Sequence, residues 1–123
     1  MEKDLLTHQV IGCAIEVHRG LGPGLLESAY EHCLAHELHN KGIPFEQQVP
    51  MPVTYNGTRL DCGYRIDILV NRCLILELKA TEKLTATHEA QLLTYMKLSK
   101  MRKGLLINFN VSQLIKGIKR FVL

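Results

Sequence analysis

Glu77 and Lys79 stand two residues apart in ILELKA (75–80), a stretch otherwise apolar enough to be a buried strand. Ionisable groups inside such a strand need a partner or a task. The strand before it, YRIDILV (64–70), carries Asp67, which shares one face with Arg65 and Leu69. On the second strand Ile75, Glu77 and Lys79 share one face. Two carboxylates brought together repel unless a positive charge lies between them. A divalent cation does this, and an all-oxygen donor set favours Mg²⁺ or Mn²⁺. Such a cation binds phosphate and acidifies water, and a lysine one pleat away could hold that water or stabilise the charge developing on phosphorus.

Strand register decides whether the three residues meet. A two-residue loop pairs Val70 with Cys73 and sets Asp67 opposite Leu76, on the wrong side from Glu77. A three-residue loop, Asn71 to Cys73, pairs Val70 with Leu74 and sets Asp67 across from Glu77; a bulge could do the same. Without that register the cluster is a surface ion pair worth ~0–1 kcal/mol.

The elements that must position these residues follow from periodicity. Leu6, Val10, Cys13, Ala14 and Val17 recur at helical spacing, and GPG (22–24) ends that helix. A second helix runs to Gly42 and Pro44, with Leu26, Ala29, Tyr30, Cys33 and Leu38 as its expected inner stripe. FEQQVPMPVTYNG (45–57) contains two prolines and should be edge-like or irregular, and Asn56-Gly57 is a turn signal. The two strands around Asn71-Arg72 follow, then a helix over about Leu84 to Met101 bearing Leu92, Leu93 and Met96. GLLINF (104–109) and IKRFVL (118–123) close the chain as strands. The order ααβββαββ reads as α/β (α+β), a mixed sheet flanked by helices, within a single domain over residues 1–123.

The composition narrows the classes. Hydrophobic residues at 46% and charged residues at 22% suit a globular core. No apolar run nears the ~20 residues of a membrane helix, and the N-terminus lacks a long apolar signal core, so a cytoplasmic setting is expected. Cys13, Cys33, Cys62 and Cys73 form no C-x-x-C pair and read as reduced structural thiols. Residues 1–89 carry 8 Lys and Arg against 12 Asp and Glu, whereas residues 90–123 carry 7 basic residues and no acid. That basic third (Lys97, Lys100, Arg102, Lys103, Lys116, Lys119 and Arg120) could face phosphates, although an ordinary solvated lysine face explains it as well. His32, His36 and His39 recur on one helical face, a spacing able to bind Zn²⁺ or Ni²⁺, but no fourth ligand is evident.

Asp67, Glu77 and Lys79, as D-x9-E-x-K, resemble the core of the PD-(D/E)XK nuclease superfamily. GLLESAY (24–30) is similar to the G-x-x-E-x-x-Y signature of the small bacterial GxxExxY proteins, a branch of that superfamily. Ile66 stands where the superfamily motif has proline. The resemblance implies a restriction-endonuclease-like fold and a metal-dependent nuclease acting on nucleic acid, with DNA as the expected substrate. It implies Asp67, Glu77 and the Leu78 carbonyl as metal ligands, with Glu27 as an additional acidic residue, and Lys79 as the catalytic lysine. QLLTY (91–95) is similar to a Q-x-x-x-Y element in which Gln91 supports the site and Tyr95 meets the phosphate backbone. Nucleic-acid contacts are expected at Tyr30, Arg65, Lys97, Lys100, Arg102 and Lys103, with core packing the competing role for Tyr30. The small size suggests a homodimer or a partner protein. The competing function is a non-cleaving nucleic-acid-binding or scaffold module with the same fold.

Overall fold

A computed structural model describes residues 4–123. Helix α1 (Leu5–Leu21) starts at Asp4, whose carboxylate accepts the Thr7 N–H at 3.1 Å and the Thr7 hydroxyl at 2.7 Å. The same carboxylate receives Lys103 Nζ at 2.9 Å, which ties the helix start to the sheet. Helix α2 (Glu27–Asn40) follows the Gly-rich turn. Five strands come next: β1 (Phe45–Pro50), β2 (Val53–Tyr55), β3 (Thr58–Leu60), β4 (Arg65–Val70) and β5 (Leu74–Lys79). Helix α3 (Ala86–Ser99), β6 (Lys103–Asn108), a 3₁₀ turn (Leu114–Gly117) and β7 (Ile118–Val122) complete the chain.

The main sheet has the order β1-β4-β5-β6-β7. Only β5 and β6 pair in parallel, and α3 makes the crossover that such a pair requires. The mixed sheet flanked by helices is the fold expected from the sequence. One face carries Ile68, Val70, Leu74, Leu76, Leu78, Leu105 and Ile107 against α1 and α2. The other carries Leu69, Ile75 and Leu106 against Leu92, Tyr95 and Met96 of α3. Strand β5 lies at the centre and is buried on both faces, which is why its apolar residues run almost without alternation. Pro50 sits in β1, an edge strand, where its missing N–H breaks no interior ladder.

Two expectations need correction. Asn56-Gly57 does more than turn the chain: with φ of 51° and 76° it closes a separate hairpin, β2–β3, so the order gains two short strands. In α2 the buried residues are Tyr30, Leu34, Ala35 and Leu38. Leu26 is 77% exposed because the helix begins one residue later and leaves it outside. The inner stripe of α1 is as expected, with Val10, Cys13, Ala14 and Val17 buried. All four cysteines are free thiols. No described helix is long and apolar enough to cross a membrane.

The 3₁₀ turn is locked onto β6 at Gly117. A Cβ there would fall against the Asn108 backbone carbonyl oxygen and within 3.1 Å of Val111 Cγ2. Since backbone cannot swing aside like a side-chain tip, Gly117→Ala should cost about 1–3 kcal/mol, a fall of at least about 4 °C in Tm by thermal denaturation.

Candidate active site

The loop Asn71 to Cys73 selects between the two registers left open by the sequence. Asn71 and Arg72 both adopt left-handed backbone, with φ of 50° and 52°, and Cys73 N–H returns to the Val70 carbonyl at 3.0 Å. Val70 pairs with Leu74, Leu69 with Ile75 and Ile68 with Leu76. The next positions along this register are Asp67 and Glu77, facing each other. The regular ladder stops there, and side chains replace it: Leu78 N–H donates to Asp67 Oδ2 at 2.8 Å, and Asp67 N–H points at Glu77 Oε1 at 3.4 Å.

The other neighbour of β4 opens at the same place. Strand β1 pairs Gln47 with Ile68 and Val49 with Ile66, but Gln48, opposite Asp67, has φ of 52° and drops out of the ladder. The strand turns over here. Ile68 packs towards α1 and α2, whereas Ile66, two residues away, packs on the α3 side. Asp67 therefore lies where two strand pairs part. The break also sends Gln47 and Gln48 the same way: their amides donate to the two oxygens of Glu31 at 2.9 and 2.8 Å.

Glu77 is only 3% exposed and Asp67 is half-buried. Burial, then the facing Asp67 carboxylate, pushes Glu77 up to about 8. Burial also raises Asp67, against the Leu78 N–H bond that lowers it, and the charges of Glu31 and Glu27 raise it further. Lys79 stands one pleat beyond Glu77, and its Nζ donates to Gln91 Oε1 at 3.1 Å. Gln91 Nε2 in turn donates to the Tyr95 hydroxyl at 3.3 Å. Burial raises the Tyr95 phenol, with Glu77 the next contribution. Helix α3 is held in place by Thr85 and His88, which cap each other's backbone N–H groups. Asn108 anchors the loop between Lys79 and α3, accepting the Thr81 N–H at 3.1 Å and donating to the Thr81 carbonyl at 2.9 Å.

The donor set fits a hard divalent cation: two apposed carboxyl groups, both raised chiefly by burial, beside a backbone carbonyl at Leu78. Mg²⁺ commonly uses one or two carboxylates and completes its shell with water and phosphate. Among the described residues no three His, Cys, Asp or Glu side chains converge on one point, so Glu27 does not complete the pair as a third ligand. Glu27 is exposed at the start of α2, and it acts on Asp67 through charge, less strongly than Glu31. His32, His36 and His39 are all exposed and form no metal cluster.

The nucleic-acid contacts expected from the sequence are placed differently. Tyr30 has no exposed surface. Its ring stacks on Phe109 at 4.5 Å, and its hydroxyl donates to Gly22 O at 2.6 Å and accepts Leu25 N–H at 3.1 Å. It is a core residue that clamps the GPG turn. Tyr95 is 3% exposed, lying beneath Tyr64, and is not open to a phosphate backbone in this conformation. Arg65 is engaged by Asp61 at 3.2 Å and by the Tyr64 carbonyl at 2.9 Å. Lys103 pairs with Leu74, whereas Leu106 pairs with Glu77, so Lys103 lies ~10 Å along the sheet from the carboxylate pair. Lys97 and Lys100 stand at the end of α3 remote from Gln91, and Arg102 Nε donates to the Leu123 carbonyl. The structure does not bring these four basic residues to the carboxylate pair. Sequence reasoning gave no role to Tyr64 or Asn108. Tyr64 follows Gly63 in a stretch without periodicity and left no signal; a polar residue inside GLLINF was the available clue to Asn108.

A family model described as the PD-(D/E)XK nuclease superfamily matches residues 4–121. No curated protein and no solved structure matched the chain.

The raised Glu77 makes a signed prediction about stability. Between pH 4.5 and about 8 the folded chain keeps a proton on Glu77 that the unfolded chain has released. That stabilisation is complete below 4.5 and is lost as pH rises to about 8. Urea denaturation in EDTA should therefore show stability falling across this range, and Glu77→Gln should flatten the fall. Saturating Mg²⁺ should raise the stability of the wild type at pH 8 and leave the variant little changed.

Proposed function

The chain belongs to the PD-(D/E)XK nuclease superfamily, and on that premise we propose that it hydrolyses phosphodiester bonds in nucleic acid with a divalent cation, Mg²⁺ or Mn²⁺, and that DNA is its substrate. The observation that carries this reading is the apposition of Asp67 and Glu77 at a strand opening, with Lys79 one pleat away and held by Gln91. A purely structural ion pair would not place two carboxylates face to face with the lysine drawn off to an amide.

In this mechanism Asp67, Glu77 and the Leu78 carbonyl would hold the cation. When bound, the cation supplies a Lewis acid for phosphate and acidifies water. Glu77 must give up its proton for this, so cation binding releases protons at neutral pH. Lys79 aims its ammonium at the attacking water or at a phosphate oxygen, and the Gln91 carbonyl fixes its direction. Gln91 is itself steadied by Tyr95, so the pair positions the lysine rather than meeting the substrate backbone.

We also assign the chain to the bacterial GxxExxY branch, and the geometry of that segment supports the choice. Gly24 has φ of 102°, a conformation that favours glycine, and Tyr30 clamps the turn so that α2 starts at Glu27. Gly24 and Tyr30 thus fix the start of α2, from which the charge of Glu27 reaches Asp67. We further propose that residues 1–123 act as a single domain in the cytoplasm.

The test is cleavage of labelled DNA and RNA with Mg²⁺, with Mn²⁺ and with EDTA. Glu77→Ala should abolish cleavage, Lys79→Ala should lower kcat by ~10²–10³-fold, and Gln91→Ala by ~10–100-fold. Cation-independent cleavage, or full activity in Glu77→Ala, would overturn the proposal. Cation-dependent binding without cleavage would favour the non-cleaving module.

A further inference from the structure

On the Gln91 side of the site, α3 and the chain from β2 to Tyr64 enclose a mainly apolar groove of about 430 Å³. Tyr64 and Val53 form one wall, and Thr87, Gln91 and Thr94 of α3 form the other, with Tyr95 alongside. Among the described residues no charged side chain lines it. Tyr64 is 47% exposed and meets Tyr95 edge to face at 6.1 Å, so much of its ring surface is left open. Its carbonyl is held by two donors, accepting Met51 N–H at 2.9 Å and Arg65 Nη1 at 2.9 Å. Asp61 braces the same turn through Gly63 N–H and Arg65.

Gln91 belongs to both places: its side chain lines the groove and accepts Lys79 Nζ. A molecule lying in the groove is thus one side chain away from the lysine. Resting on the nuclease reading, we infer that this groove takes an unpaired nucleobase next to the scissile phosphate, stacked on Tyr64, and that the enzyme acts on single-stranded or locally opened nucleic acid. A phosphate would need cations or convergent N–H donors, and the groove offers none. A base has apolar faces for Tyr64 and Val53 and a polar edge for the threonine hydroxyls and the Gln91 amide. A base inside a duplex has both faces covered by its neighbours and cannot enter a lateral groove. The groove continues along α3 to Leu98, so Lys97 stands at its far end, where it could meet the backbone of the same strand, whereas Lys103 lies further along the sheet.

The test uses the full chain carrying Lys79→Ala, which cleaves ~10²–10³-fold more slowly, with Mg²⁺ present and binding read before turnover. The probe is an oligonucleotide containing a fluorescent purine analogue, offered single-stranded and annealed to its complement. Single strands should bind at least about tenfold tighter than duplex, with the analogue quenched by stacking. Adding Tyr64→Ala should weaken single-strand binding about 5- to 100-fold and remove the quenching, whereas Tyr64→Phe should retain both. The quenching and the strand preference of the parent are read without any Tyr64 variant, so a misfolded variant does not decide the matter. Binding that ignores Tyr64→Ala, tighter binding of duplex, or no binding of either probe would overturn the inference. Cleavage by the wild type, measured on the same strands, separates the two claims. Tyr64-dependent binding with no cleavage would sink the nuclease reading and leave the groove. Cleavage with Tyr64-independent binding would do the reverse.

Discussion

Two carboxylates facing each other across a strand pair repel, and burial makes the repulsion worse. Asp67 and Glu77 are held in this arrangement by the register of β4 and β5, which the three-residue loop Asn71 to Cys73 sets. A loop one residue shorter would turn Asp67 to the opposite face, and Lys79 and Gln91 would have no carboxylate pair to serve. The left-handed backbone at Asn71 and Arg72 is the local strain that keeps this register. Arg72 gains an exposed ion pair with Glu46, which is too weak to explain its conformation.

The rest of the site is organised around the opening at Asp67. Gln48 leaves the β1 ladder there, and β4 turns over, so strand backbone on both sides of Asp67 withdraws. Leu78 N–H then bonds a carboxylate instead of continuing a ladder. This exchange keeps the buried polar groups satisfied while Asp67 stays half-buried at the opening and Glu77 is 3% exposed, and no buried side-chain polar atom among the described residues is left without a partner. Acidic Glu27 and Glu31 surround the same opening and add to its negative potential. On the proposed function, a site with four carboxyl groups around one lysine, where Glu77 holds a proton up to about pH 8, suits a cation that can displace that proton better than it suits a polyanion.

Much of this was legible in the sequence. The α1 stripe, the central buried strand and the crossover helix follow from periodicity, and the E-x-K spacing gave Glu77 and Lys79 a shared face before any register was known. The register itself was reducible to two loop lengths, and backbone conformation at Asn71 and Arg72 chose between them. Other features were hidden for physical reasons. The basic residues after position 96 are close to Gln91 in sequence, but α3 runs antiparallel to β5 and β6, so successive residues move away from the site. For Tyr30 the sequence left core packing and a nucleic-acid contact both open, and packing decides for the core, while Tyr95 shows only in packing that its hydroxyl is met internally. Tyr64 lies in a loop, where no period marks which side chain faces outward. The β2–β3 hairpin is too short for its three-residue strands to show alternation.

The central claim is that the Asp67–Glu77 pair is a cation site whose charge is unbalanced until the cation binds. A carboxyl-detected NMR titration of Glu77, with and without saturating Mg²⁺, tests it most directly. Glu77 should titrate near pH 8 in the cation-free protein and fall below its ordinary 4.5 when Mg²⁺ is present. A Glu77 that titrates at 4.5 without the cation, or whose raised value does not move with it, would contradict the account.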